Sequence, residues 1–251
     1  MDDGDGAKEA RQLAQRLSLP LVSRLAAADE SWQFTLSCQP QGLCLSLAGE
    51  RQPGPLIVDF TAPALVHRVH DRLGQQALIR AVGCKPGLRP TVLDGTAGLG
   101  RDAYLLARAG CEVTLLEQDP VIHALLADGL ARAAMVSDPQ VRESVQRMQL
   151  RLGDFLTLAS RLPAADVIYL DPMFPKRSKS AQVKKDLFML QQYFASAAAA
   201  ASGEAMLDLA LQLARRRVVV KRPRLAAPLA DRQPSHTLAG SSSRLDVYII
   251  P

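Results

Sequence analysis

From Pro90 onward the chain repeats one rhythm: a short apolar run, a glycine or acidic turn, then a helical stretch. That alternation restricts the fold more than any other feature, because it is the pattern of strands joined by crossover helices. Thr91-Val92-Leu93 predicts a strand, Gly100 to Ala109 a helix closed by Gly110, Glu112 to Leu116 a strand, and Pro120 to Ala134 a helix with proline at its start. Met148 to Leu152, Val167 to Leu170 and Val218 to Val220 follow as strands. Between them lie a short helix over Phe155 to Arg161 and longer ones near Val183 to Ala201 and Glu204 to Ala214. Two late runs, His236 to Ala239 and Arg244 to Ile250, flank Gly240-Ser241-Ser242-Ser243 and predict a closing antiparallel hairpin. The expectation is an α/β protein with a doubly wound, mainly parallel sheet. At 251 residues and 48% hydrophobic the chain can bury a full core, and 4% aromatics with abundant Ala and Leu disfavour a β-sandwich.

Before Pro90 the pattern is different. Ala7 to Leu19 has helical spacing ended by Pro20, and short alternating runs between Trp32 and Ala48 suggest a small β-rich element. A turn-rich link over Gly49 to Pro55 leads to a strand over Leu56 to Phe60 and a helix from Pro63 to Val82. The expected organisation is a small N-terminal α+β subdomain over 1–60 and a main domain over 61–251. No apolar run approaches the roughly 20 residues needed to cross a bilayer, and the acidic start Met1-Asp2-Asp3-Gly4-Asp5-Gly6 lacks a signal-peptide core, so a cytoplasmic protein is expected. Cys38, Cys44, Cys84 and Cys111 form no Cys-x-x-Cys pair and have no His at zinc-ligand spacing. They read as reduced and buried thiols, and no metal site is expected.

Chemistry concentrates at the strand ends. The run Val167-Ile168-Tyr169-Leu170 empties into Asp171-Pro172-Met173-Phe174-Pro175, which combines a carboxylate, a rigid turn and an aromatic face. Such a set can hold a planar amine: Asp171 and the Pro172 carbonyl accept its hydrogen bonds, and Phe174 stacks on it. Asp94-Gly95-Thr96-Ala97-Gly98-Leu99-Gly100-Arg101-Asp102 follows the first strand of the alternation and opens a helix. Gly95, Gly98 and Gly100 let backbone approach a ligand, but the G-x-x-G-x-G spacing fails the dinucleotide fingerprint, and no phosphate loop occurs. An acid at Asp94 suits a cationic amino-acid end better than a pyrophosphate. Glu117, closing the next strand, can accept from both hydroxyls of a ribose, with Gln118 beside the base, and Gly153-Asp154 stands at the third tip. Singly, each acid also has a plain role as a helix N-cap, which suits Asp102 and Asp154 well. Four acids at consecutive tips with a glycine turn favour a ligand-binding crevice.

The net charge of +5, from 30 Lys and Arg against 25 Asp and Glu, is modest, but its placement is pointed. Lys176, Arg177, Lys179, Lys184 and Lys185 follow the Asp171 loop, and Arg215, Arg216, Arg217, Lys221, Arg222 and Arg224 bracket a later strand. Cations beside a candidate active site fit a polyanionic substrate. His67, His70, His123 and His236 assemble no metal or nucleophile constellation, and the serine turn lacks a nucleophile elbow, which disfavours a hydrolase.

Through the glycine turn, Glu117-Gln118 and the Asp171 to Pro175 motif, the chain resembles class I methyltransferases that use S-adenosylmethionine (SAM). Gly98 to Ala103, Tyr169 to Pro175 and Lys179-Ser180-Ala181-Gln182-Val183-Lys184-Lys185 resemble more closely the bacterial RsmJ family, which methylates the exocyclic N2 of a guanosine near the 3′ end of 16S ribosomal RNA. The resemblance covers most of the chain from about Val58. It implies a seven-stranded methyltransferase sheet, SAM as cofactor, and the small ribosomal subunit or its RNA as partner. It also implies cofactor contacts from Arg101, Asp102, Glu117, Gln118, Gly153, Asp154 and Asp171. The basic run beside the loop leads to the expectation that Lys176, Arg177, Lys179 and Lys184, and after them Lys185, hold the flanking phosphates of RNA. Met173 stands where related amino-methyltransferases carry a second proline. Rival expectations are a SAM enzyme acting on DNA, protein or a small amine, a non-catalytic RNA-binding module, and a nicotinamide dehydrogenase.

Overall fold

The computed structural model describes residues 3–23, 32–47, 54–70, 73–172, 189–190, 192–194, 203–240 and 243–251. By packing, the chain divides into one compact unit of Met1–Val58 with Pro175–Ala199 and a second of Asp59–Phe174 with Ala200–Pro251.

In the first unit, helix α1 (Asp3–Leu17) is followed by a hairpin of β1 (Phe34–Gln39) and β2 (Gly42–Leu47). Pro40-Gln41 makes the turn, and the strands pair antiparallel from Phe34 opposite Leu47 to Gln39 opposite Gly42. The strand expected over Leu56 to Phe60 shrinks to one bridge, in which Leu56 and Leu45 exchange backbone hydrogen bonds of 2.8 and 3.0 Å. Two local causes are visible. Pro55 has no N–H to extend the ladder, and Asp59 Oδ1 accepts from the backbone N and the hydroxyl of Thr61, turning the chain instead.

The second unit is built on a seven-stranded sheet. Its first helices are α2 (Pro63–His70) and α3 (Ala77–Ala81), with a 3₁₀ turn at Leu73–Gln75 between them. One continuous helix was expected here. Gly74 is a poor helix former, and Gln76 is extended at φ −63°, ψ 139°, so the chain restarts rather than continues. Then follow β3 (Val92–Asp94), α4 (Arg101–Arg108), β4 (Val113–Glu117), α5 (Pro120–Ala133), α6 (Pro139–Gln146), β5 (Met148–Leu152), α7 (Phe155–Leu158) and β6 (Val167–Leu170). The chain ends with α8 (Gly203–Leu213), β7 (Arg217–Pro223), β8 (His236–Ala239) and β9 (Ser243–Ile249). Of the helix expected over 183–201, residues 189–190 and 192–194 are helical and the rest lie outside the described residues.

Strand order is β5-β4-β3-β6-β7-β9-β8. The first five strands run parallel, while β9 inserts antiparallel between β7 and β8 and forms the closing hairpin with β8. Alternation along the strands sends Leu93, Ile168, Leu170, Val218 and Val220 into one apolar layer with Met206, Leu207 and Ala210 of α8. The neighbours between them point to the opposite face, where the hydroxyl of Tyr169 meets α4. Helices therefore cover both faces, and the chain reverses direction of winding between β3 and β6. In open sheets that reversal opens a crevice at the strands' carboxyl ends.

Candidate active site

Four acids mark the carboxyl ends of adjacent strands: Asp154 follows β5, Glu117 closes β4, Asp94 closes β3 and Asp171 follows β6. Register puts Asp94 opposite both Leu115 and Tyr169, so these tips lie level across the crevice.

The glycine turn between β3 and α4 is drawn tight. Gly95 donates to the Tyr169 carbonyl at 3.0 Å and Ala97 to the Leu116 carbonyl at 3.0 Å, which ties the turn to both neighbouring strands. Gly98 and Gly100 adopt positive φ of 52° and 70°. A Cβ on Gly95 would lie 2.6 Å from Phe155 and 2.8 Å from Leu170, and one on Gly100 would lie 2.7 Å from Leu126. The turn thus needs glycine for space as well as for conformation.

Glu117 is 6% exposed, and its two oxygens accept from the backbone N–H of Gly98 and of Asp119, each at 2.8 Å. Burial nevertheless pushes its pKa up to about 7. Asp94 is 2% exposed; it accepts from the Thr96 N–H at 3.0 Å and has no cationic partner among the described residues. Burial, with smaller contributions from Asp102, Asp171 and Glu117, pushes it up to about 8. An acid so placed has unmet affinity for a cation. Gly153 N–H donates to the Glu117 carbonyl at 2.9 Å, joining the third tip to the second. Asp154 occupies the N-cap position of α7, yet its side chain makes no capping bond. Gln118 is exposed beside Glu117, and Arg101 is exposed in the first turn of α4.

Asp102 was expected to suit an N-cap, but Gly100 holds that position and Asp102 points elsewhere. Its Oδ1 accepts from Arg68 at 3.1 Å, and its Oδ2 accepts from the Tyr169 hydroxyl at 2.7 Å and from Lys221 Nζ at 2.8 Å. The same Lys221 Nζ lies 2.7 Å from Asp171 Oδ2, while the Asp171 backbone N–H donates to the Thr96 hydroxyl at 2.6 Å. One ammonium therefore joins two carboxylates from α4 and the β6 tip. Burial opposes both charges, but Asp102 receives Lys221 and Arg68 and falls below the usual carboxylate range, whereas Asp171, with Lys221 alone, is left raised. Burial works against the Lys221 ammonium too, and the two carboxylates more than reverse it. Pro172, buried, follows Asp171 directly. Phe174, Lys176, Arg177, Lys179 and Lys184 lie outside the described residues.

The structure thus brings Asp94, Gly95, Gly98, Gly100, Asp102, Glu117 and Asp171 into one crevice. From sequence Lys221 reads only as part of a basic run, Tyr169 as a strand residue that opens the Asp171 motif with no role of its own, and Arg68 carries no signal. Lys221 directly follows Val218-Val219-Val220, so the strand-tip logic that selected the acids also selects it. Among the described residues no group of three or more His, Cys, Asp or Glu is arranged to hold a metal, and no helix is long and apolar enough to cross a membrane. Cys44, Cys84 and Cys111 are buried free thiols, while Cys38 is only partly covered.

A glycine turn at the winding reversal, an acid closing β4 and an antiparallel β9 inserted between β7 and β8 together define a class I methyltransferase. The family model described as SAM-dependent methyltransferase matches residues 13–250. A protein from Thioalkalivibrio sulfidiphilus named ribosomal RNA small subunit methyltransferase J is 45% identical over 249 residues, spanning 98% of this chain and 94% of its own length. One of the same name from Pseudomonas aeruginosa is 46% identical over 247 residues, spanning 97% and 91%. A solved SAM-dependent methyltransferase from Neisseria gonorrhoeae aligns with a TM-score of 0.74 at 32% identity, covering 98% of this chain and 93% of its own. The chain belongs to the ribosomal RNA small subunit methyltransferase J (RsmJ) family, and SAM is its methyl donor.

Proposed function

We propose that this enzyme methylates the exocyclic N2 of a guanosine in small-subunit ribosomal RNA, with Asp171 as the residue that receives the amine. The relatives' names support the RNA, and the observation that carries the chemistry is the Asp171 carboxylate held by Lys221 at the strand tip next to the glycine turn.

The residues present fit the cofactor. Asp94, buried with no cationic partner among the described residues, suits the ammonium of its amino-acid end. Glu117 keeps a second lone pair on each oxygen after accepting its two backbone N–H groups, which suits the two ribose hydroxyls. Gly95, Gly98 and Gly100 admit the ligand against backbone, with Arg101, Asp102, Gln118, Gly153 and Asp154 around it. When bound, SAM supplies a methyl group already activated by a sulfonium.

What is left to the protein is alignment and charge stabilisation. Guanine N2 is a poor nucleophile because its lone pair is delocalised into the ring. Asp171 and the Pro172 carbonyl accept hydrogen bonds from N2, turning it toward sp³ geometry and offsetting the positive charge that grows on nitrogen. Phe174 stacks on the base, which must leave its neighbours at a cost of a few kcal/mol. Lys176, Arg177, Lys179 and Lys184 hold flanking phosphates.

The test is transfer of labelled methyl from SAM to ribosomal RNA from a strain lacking the enzyme, with the product nucleoside identified by mass spectrometry. Asp171→Ala should lower the rate on the order of 10²–10³-fold, and Phe174→Ala about tenfold or more. Near-normal rates in both variants, or a methyl group on another atom, would sink the assignment.

A further inference from the structure

The connection that leaves β7 combines an exposed apolar tip with an unusually firm base. Leu225 is 95% exposed, the most exposed of the large hydrophobic residues described, and Arg224 beside it is exposed as well. A solvent loop with such a tip is ordinarily free to turn it inward. This one is held from beneath by two arginines. Arg244 forms a bidentate pair with Asp246, which is 0% exposed, at 2.7 and 3.0 Å. Its remaining terminal nitrogen donates to the carbonyls of Arg224 and Ala226. Arg222 donates to the Ala227 carbonyl at 2.7 Å, and Ala226 N–H returns to the Pro223 carbonyl at 3.1 Å. Leu229 and Arg232 then anchor the segment against α8, on either side of Ala230 and Asp231, two consecutive non-glycine residues at φ 53° and 50°. The hydrogen bonds from Arg222 and Arg244 to the loop carbonyls hold the backbone on either side of Leu225, with its side chain in solvent.

The loop also stands next to the reacting centre. Arg224 is three residues beyond Lys221, whose ammonium touches Asp171, so the backbone between them spans at most about 10 Å. On the other side, Leu229 and Pro172 both approach Gly203, within 3.3 and 3.6 Å of the place where a Cβ would stand there. An apolar side chain and a cation fixed beside a site that accepts a base have an obvious complement in a nucleic-acid strand, whose bases are apolar on their faces and whose backbone is anionic.

We infer that the Arg224-Leu225 loop is the RNA-facing wedge of this enzyme: Leu225 enters the stack where the target guanosine leaves it, and Arg224 holds the adjoining phosphate. The inference rests on the RNA reading given above. Substitution at the exposed tip leaves the fold alone, so Leu225→Ala and Arg224→Gln are clean probes. They would be compared with the unsubstituted enzyme on folded small-subunit RNA and on a short single-stranded RNA holding one guanosine, alongside calorimetry with SAM. Leu225→Ala should lower kcat/KM on folded RNA about 10- to 100-fold, equal the unsubstituted enzyme on the single strand, and bind SAM unchanged. Arg224→Gln should raise KM and make the log–log salt dependence shallower by about 1. Full activity of Leu225→Ala on folded RNA, or an equal loss on both RNAs, overturns the wedge while leaving the function standing. Failure of the unsubstituted enzyme to methylate small-subunit RNA either free or in assembled small subunits overturns the substrate reading and the wedge with it.

Discussion

Lys221 is shared between two carboxylates that do not benefit equally. Asp102 has three donors and Asp171 one, so removal of the ammonium falls hardest on Asp171, which is left with its partial desolvation and the repulsion of Asp102. Lys221→Met should therefore move the acidic limb of the pH–rate profile to higher pH and lower the plateau, and Lys221→Arg should restore part of both. An unmoved limb in single-turnover measurements would leave Lys221 with a purely structural role. Asp94 and Glu117 carry a second pH dependence. Their folded-state values of about 8 and about 7 stand above the ordinary 3.8 and 4.5, so the ligand-free protein binds protons more tightly folded than unfolded between those limits. Stability is highest below that window and falls as pH rises through it. The melting temperature of the ligand-free enzyme should thus decline from pH 6 to pH 8.5, and Asp94→Asn should flatten the decline. Since a bound ammonium favours ionised Asp94, SAM binding near pH 7 should release protons, visible as a buffer-dependent heat.

At the scale of elements, the glycine turn separates two effects. Gly100→Ala adds a Cβ 2.7 Å from Leu126 at positive φ and should cost about 1–3 kcal/mol in urea unfolding. Gly98→Ala also sits at positive φ, but its nearest neighbour would be 4.0 Å away, so only the conformational cost of about 1 kcal/mol applies. Equal losses would mean that packing against α5 does not set the turn. The helices and strands readable from sequence were those with local signals: Asp119 caps α5 through Val121 and Ile122 just before Pro120, and Gly240, whose N–H donates to the Ser243 carbonyl at 2.8 Å, marks where β8 gives way to β9. α6 carried the same signal, Asp138 before Pro139 with a bond to the Gln140 N–H, and went unread because its apolar face is narrow. The break after α2 and the single bridge at Leu56 were harder to foresee. They depend on contests between helix or ladder hydrogen bonds and side-chain alternatives, which periodicity does not register.

For the whole molecule, ligand linkage gives a direct check on the site. SAM at about 100 times its dissociation constant should stabilise the folded enzyme by about 2.7 kcal/mol, or about 5–10 °C for a chain of this length. Asp94→Ala should abolish most of that gain while leaving the ligand-free protein folded; a full shift in this variant would remove Asp94 from the cofactor site. By itself the sequence determined the alternation of strand and helix, the positions of acids and glycines at strand tips, and the motif at Asp171, because these are set by local periodicity and turn chemistry. The tertiary structure alone decided which tips are neighbours. β6 pairs with β3 and β7 rather than with β5, its predecessor in the chain, so Lys221 meets Asp171 across 50 residues and Tyr169 meets Asp102 across 67. Such pairings follow from how crossover helices pack on both faces of a twisted sheet, a property of the assembled core that no local segment encodes.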